Sequence, residues 1–145
     1  MSEPSIAVRT GNWDRLRQDA AGVRHAVFVV EQRVPAELEL DELDAVCLHA
    51  VAYDAQGNVL GTGRLLPDGH IGRMAVHRHA RGMGVGARLL QALVEAGRAA
   101  GHRKLVLNAQ THARGFYEGQ GFVAEGDIFM DAGIPHVTMT RVLRN

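Results

Sequence analysis

At 145 residues the chain has the usual size of one compact domain, and 46% hydrophobic residues are enough for a proper core. Its 16 Lys and Arg balance 16 Asp and Glu, so no summed field draws the molecule to a nucleic-acid backbone or an anionic membrane, and neither is expected as a partner. The lone Cys47 excludes a disulfide framework and a cysteine-built zinc site. The start, MSEPSIAVRTGNW, is too polar for a signal peptide and no apolar run approaches a membrane span, so a cytoplasmic protein with one domain over 1–145 is expected.

In chain order, Ser5 to Arg9 reads as a short first strand. Asn12 can cap a helix in which Val23, Ala26, Val27 and Val30 share one face, ending near Glu31. Pro35 opens an acidic stretch, PAELELDELD, that reads as a solvated turn ahead of the alternative, a wall that attracts a cationic amine. Three strands follow: Cys47 to Tyr53, Val59 to Leu66 and His70 to Val76, parted by turns at Gln56-Gly57-Asn58 and Pro67-Asp68-Gly69. Leu89, Leu90, Leu93, Ala96 and Ala100 then line an amphipathic helix that stops at Gly101, a residue suited to a left-handed cap. Lys104 to Asn108 is a buried strand and Thr111 to Gln120 a short helix. Phe122 to Met130 and His136 to Leu143 form a hairpin around Asp131-Ala132-Gly133. The order β-α-βββ-α-β-α-ββ predicts an α/β (α+β) fold, a mixed sheet flanked by helices with one parallel crossover through the long helix.

The stretch HRHARGMGVGARLL, His77 to Leu90, places Gly82, Gly84 and Gly86 where that helix begins. Helix N-termini carry unpaired N–H groups and partial positive charge, and glycine lets an anion approach and admits the positive φ that turns successive N–H groups to one centre. A cradle for a phosphate or pyrophosphate is expected, with Arg81 and Arg88 as nearby charges. Gly82-x-Gly84-x-x-Ala87 also matches the dinucleotide fingerprint, but no Asp or Glu occurs from Arg98 to Tyr117 to hold a ribose. A nicotinamide or flavin dehydrogenase therefore ranks below an anion cradle.

Arg81, Gly84 and Gly86 fill the pattern Q/R-x-x-G-x-G/A, and Ala113, Phe116, Tyr117, Gly121 and Phe122 fill A-x-x-F-Y-x-x-x-G-F. In these two motifs the sequence resembles the GNAT superfamily of acyl-CoA-dependent N-acetyltransferases. VRHAVFVVEQRVP, ELELDELD, GTGRL, IGRMAV, LNAQ and GIPHVTM make it similar to the ElaA-like branch over nearly the whole chain. The resemblance implies a mostly antiparallel GNAT sheet splayed between Ile71–Val76 and Lys104–Asn108, with the pantetheine arm of acetyl-CoA in the gap. It implies cofactor contacts at Met74, Ala75, Val76, Arg81, Gly82, Met83, Gly84, Val85, Gly86, Phe116 and Tyr117. The Val76 N–H would face the thioester oxygen and Tyr117 would serve as general acid. Many relatives carry asparagine where this chain has Gln110.

A proton acceptor for the amine is not singled out by the sequence. Glu31, Glu39, Asp41, Asp44, His49 and His136 are candidates, with Glu31 placed first. His77 and His79 have no third ligand at metal spacing, so no metal is expected. Trp13 reads as a packing residue, and Arg64, Arg73 and Arg78 as cations able to reach cofactor phosphates or to face solvent. The expected partner is a small-molecule or peptide amine, the expected state a monomer or homodimer. The alternative is an acyl-CoA-binding module without catalysis.

Overall fold

The computed structural model describes residues 5–39 and 41–144; the first four residues, part of the stretch read as too polar for a leader, lie outside them. The elements run β1 (Ala7–Gly11), α1 (Trp13–Arg24), a π-helical extension (His25–Glu31), α2 (Ala36–Glu39), a 3-10 turn (Glu42–Val46), β2 (Leu48–Tyr53), β3 (Val59–Leu65) and β4 (His70–Val76). After a 3-10 turn (Arg78–Ala80) come α3 (Val85–Ala99), β5 (Lys104–Gln110), α4 (Arg114–Gly119), β6 (Val123–Asp131) and β7 (Ile134–Val142). Among the described residues the strands form one seven-stranded sheet ordered β1-β2-β3-β4-β5-β7-β6, antiparallel except where β4 meets β5. This is the expected mixed sheet with its parallel crossover through α3.

Local signals account for most boundaries. The Asn12 side chain accepts from the Arg15 N–H at 3.0 Å, which starts α1. Gly101, at φ +89°, ends α3 in the left-handed region. The tight turn between β6 and β7 puts Ala132 and Gly133 at φ +52° and +77°, the twist that a two-residue hairpin loop needs. β5 runs two residues past its expected end because Ala109 and Gln110 keep pairing with Val137 and His136.

The helices divide between the two faces of the sheet. α3 buries Leu89, Leu90 and Leu93 in the main core with Leu105, Leu107, Met139, Phe122 and Tyr117. Gly97 lets β5 come close, since a Cβ there would stand 2.9 Å from Leu105. On the opposite face α1 packs Leu16 and Ala20 on Val51, and Val23, with Val27 of the extension, on Ala75. Burial of such a side chain is worth roughly 1.5–3 kcal/mol. Trp13 packs as expected, its ring 4.7 Å from that of His49 with the Arg24 guanidinium above it.

Candidate active site

The parallel junction is short. β4 and β5 pair only at His70 with Val106 and Ile71 with Leu107, after which the strands part. Antiparallel pairing with β3 explains what the free side of β4 offers. The His77 N–H donates to Leu60 O at 2.9 Å, and the alternation of an antiparallel ladder then turns the N–H and C=O of Val76 away from β3, toward the gap. A cleft of about 1510 Å³ fills the parting, bounded by the α1 extension, β4, the start of α3, the ends of β5 and β7, and α4.

At its mouth the glycine turn is open. Gly82 and Gly84 lie at φ +81° and +83°, and a Cβ added to either would meet nothing within 4 Å. Gly86 differs, for its Cβ would stand 3.4 Å from the Phe116 ring. The turn that leads into α3 is thus uncovered by side chains at Gly82 and Gly84. Met83 and Phe116 are exposed apolar side chains at the rim, while Ala75 and Val85 are buried and hold strand and helix in place. The Met74 side chain lies under β3, close to Gly63. Arg81 binds Glu31 in a two-pronged ion pair at 2.7 and 2.8 Å and donates to Val76 O at 3.2 Å. The Arg81 hydrogen bond holds the Glu31 carboxyl below its ordinary pKa.

Tyr117, on α4, is buried against Phe122 and touches Phe116 edge-on at 5.0 Å. Its hydroxyl has no hydrogen-bond partner among the described residues, and burial pushes its pKa up to about 12. The group therefore stays protonated and available as a donor.

The acidic stretch overturns the expectation of a solvated turn. Glu39 and Asp44 are buried, and Asp44 accepts from both Arg24 and Arg64, at 2.7 to 3.0 Å. Arg24 also binds Glu39, and Arg64 grips Asp41 with both terminal nitrogens at 2.7 and 2.8 Å. Arg73 completes the set. It sits in a bulge of β4 at φ +50° and donates to Glu39 O and to Asp41 Oδ2 at 3.2 and 3.1 Å. Arg64 and Arg73 are thus engaged by carboxylates, which corrects the expectation that they turn to solvent or a phosphate. Charge inside the sheet is costly unless paired, so the arginines draw their counter-ions in with them. Arg64 within a strand, facing inward by alternation, was the available signal for this network.

On the α1 side of the cleft, Gln32 and Gln110 exchange two side-chain hydrogen bonds, at 2.9 and 3.2 Å, linking the end of β5 to the helical extension. Thr138 donates to Asn108 Oδ1 at 2.8 Å. His136, opposite Gln110 on β7, lines the cleft, stacks on Phe129 at 5.9 Å, and holds its Nδ1 2.7 Å from Ile134 O. His49 is buried, bound through Nε2 to Asp44 O at 2.9 Å, and away from the cleft. His77 and His79 stack on one another, and among the described residues no three His, Cys, Asp or Glu side chains gather as a metal site. No described helix is long and apolar enough to cross a membrane.

A sheet parted between two parallel strands, with an open glycine turn at the mouth of the parting, is the arrangement that the resemblance to acyl-CoA-dependent acyltransferases implies. Comparison with known proteins makes the class specific: the family model of the acetyltransferase (GNAT) domain matches residues 16–143, and the chain belongs to that family. A Bacillus subtilis protein described as the uncharacterized N-acetyltransferase YjcF is 42% identical over 139 residues, covering 93% of this chain and 98% of its own. An acyl-CoA N-acyltransferase from Pseudomonas aeruginosa superposes with a TM-score of 0.83 at 31% identity, over 95% of this chain and 100% of that one. Escherichia coli ElaA gives 0.84 at 25% identity, over 94% and 99%. The chain is an acetyltransferase with the GNAT fold that its two motifs foretold.

Proposed function

We propose that this enzyme, as a single domain over residues 1–145, moves an acetyl group directly from the thioester of acetyl-CoA to a primary amine of a small molecule or peptide. The observation that carries this reading is the parting of β4 from β5 beyond Ile71 and Leu107, with the open turn at Gly82 and Gly84 at its mouth. The backbone at Gly82 to Gly86 would hold the diphosphate, and the Met74 to Val76 edge of β4 the pantetheine arm, which would pair backbone groups of that edge other than Val76 O, already bound by Arg81. The outward N–H of Val76 would stabilise the oxygen on which negative charge gathers. Glu31 serves as the counter-ion of Arg81 and fastens the turn to the α1 extension; with both carboxylate oxygens engaged by Arg81, it is the counter-ion and not the base in this reading.

Tyr117 would supply the proton to the departing sulfur. Its raised pKa, about 12, makes full ionisation unfavourable, so it acts as a hydrogen-bond donor that gives up its proton only as sulfur takes on charge. A covalent acetyl-cysteine is not part of the scheme, because Cys47 is buried, its thiol pKa is pushed up by that burial, and it lies outside the cleft.

The test is Tyr117→Phe, assayed by release of the CoA thiol across a panel of primary amines and by calorimetric titration with acetyl-CoA. The variant should lose about 100-fold in kcat while keeping its affinity for acetyl-CoA. Unchanged turnover would take Tyr117 out of the chemistry. No CoA release from the parent with any amine would replace this reading by that of an acyl-CoA-binding module.

A further inference from the structure

We infer that His136 is the proton acceptor for the incoming amine, and that the amine reaches the thioester across the α1-side face of β5 and β7. The inference rests on the acetyl-transfer reading and adds to it the base and the direction of approach.

Strand alternation defines the face. Leu105, Leu107 and Ala109 of β5 are buried in the α3-side core with Tyr117. Val106, Asn108 and Gln110 must therefore project to the opposite face, and Gln110 does so, meeting Gln32 beyond α1. Their partners across the ladder share that face: Thr140, Thr138 and His136. The donor's diphosphate and Tyr117 thus belong to the α3 side of the parting, and an acceptor that must reach the same carbonyl without displacing them has the other face.

On that face the bonding of His136 prescribes its chemistry. A carbonyl oxygen has no proton to give, so the contact between Nδ1 and Ile134 O, 2.7 Å long, requires that Nδ1 carry the hydrogen. In the neutral ring Nε2 then holds a lone pair, and among the described residues it makes no hydrogen bond to the protein. Stacking on Phe129 and the tight turn at Ala132-Gly133 keep the ring in place. The other candidates are engaged: Glu31 by Arg81, Glu39 and Asp44 by Arg24, Asp41 by Arg64 and Arg73. Of the other imidazoles lining the cleft, His70 pairs with Asp68, while His112 is exposed and bound to Gln110. Titratable groups that line the cleft with His136 include His112, beyond its ladder partner Gln110, and Asp131 at the hairpin, with Glu31, Glu39 and Arg73 on the α1 side.

The step balances. The amine lone pair forms the C–N bond while the C–S bond breaks with its electron pair on sulfur. One N–H proton of the amine passes to Nε2 of His136, and the sulfur takes the Tyr117 hydroxyl proton. His136 then yields one proton to water and Tyr117 regains one, so the products are the amide and free CoA.

Two measurements decide it. In the intact protein carrying 15N-histidine, the neutral His136 ring should show protonated Nδ1 and pyridine-like Nε2; protonated Nε2 would overturn the proposal without any variant or acceptor. With benzylamine, cadaverine and glycinamide as probes, His136→Ala and His136→Gln should lower kcat by about 100- to 1000-fold. They should also lose the acid limb of the kcat/KM profile, keep acetyl-CoA affinity within about twofold, and regain part of the rate in added imidazole. Parental kcat and an intact acid limb in both variants would overturn it. A parent inactive toward all three probes counts against acetyl transfer itself, while the ring nitrogens still decide the state of His136.

Discussion

The two walls of the cleft are built on opposite principles. The turn from Gly82 to Gly86 works by what it lacks: two residues at positive φ with open space where side chains would stand, so that backbone N–H groups are the surface. The other wall, which meets the cleft at Leu38 and Glu39, works by what it buries: Glu39 and Asp44 clamped on Arg24 and Arg64, with Asp41 and Arg73 at the edge. The first is a local device that needs only a strand end and a helix start. The second exists only when α1, β3 and β4 are already assembled, because none of its charges could be desolvated alone. In the proposed reading, cofactor binding rests on the simple wall while the elaborate one holds its shape.

This contrast is breakable by substitution. The largest effect is expected at Asp44: Asp44→Ala leaves Arg24 and Arg64 buried with one carboxylate fewer and should cost about 3–5 kcal/mol in chemical denaturation. A loss under about 1 kcal/mol would mean that the network is not a structural unit. Gly84→Val should separate the walls the other way, abolishing measurable acetyl-CoA binding in calorimetry. Its cost in stability should be only the ~1–3 kcal/mol of a side chain at positive φ. Equal affinity in variant and parent would deny the turn its role.

Acid should act on the charged wall through Asp41. The hydrogen bond from Arg64 holds Asp41 down at about 2 against an ordinary 3.8. A depressed carboxylate stabilises the fold fully above its unfolded value, and that contribution is lost as the pH falls from about 4 toward 2. Melting temperatures of Asp41→Asn should therefore converge on those of the parent in that window; a constant gap would assign the difference to something other than charge. The smallest effect is expected at the Gln32–Gln110 link, where Gln32→Ala removes two half-buried hydrogen bonds and should cost roughly 1–2 kcal/mol. A larger loss would show that the α1 side of the cleft depends on that bridge as the far wall depends on Asp44.

How much of this could be read in advance followed the range of each interaction. The Asn12 cap, the Gly101 stop and the α3 stripe from Leu89 to Ala96 are decided within a turn or two of helix, and the structure has them where the periodicity put them. The glycine turn and the Phe116-Tyr117 motif were legible for the same reason. The bulge that sets Arg73 at φ +50° was not, because no residue near it demands positive φ; it is held by Glu39 and Asp41, more than 30 positions away. Nor was the Arg81–Glu31 pair, whose partners lie 50 residues apart.

The sequence by itself determined the order of elements, the parallel crossover and the open helix start, since these follow from local propensity, hydrophobic period and glycine. Only the tertiary structure decided which charges lie in water and which face each other. A carboxylate reads alike in either place, and the cost of burying it depends on partners that come near only once the sheet is formed. The bond between His136 and Ile134 O is local in sequence, yet its meaning is tertiary: the ring it fixes lines a cleft that six separate elements must meet to enclose.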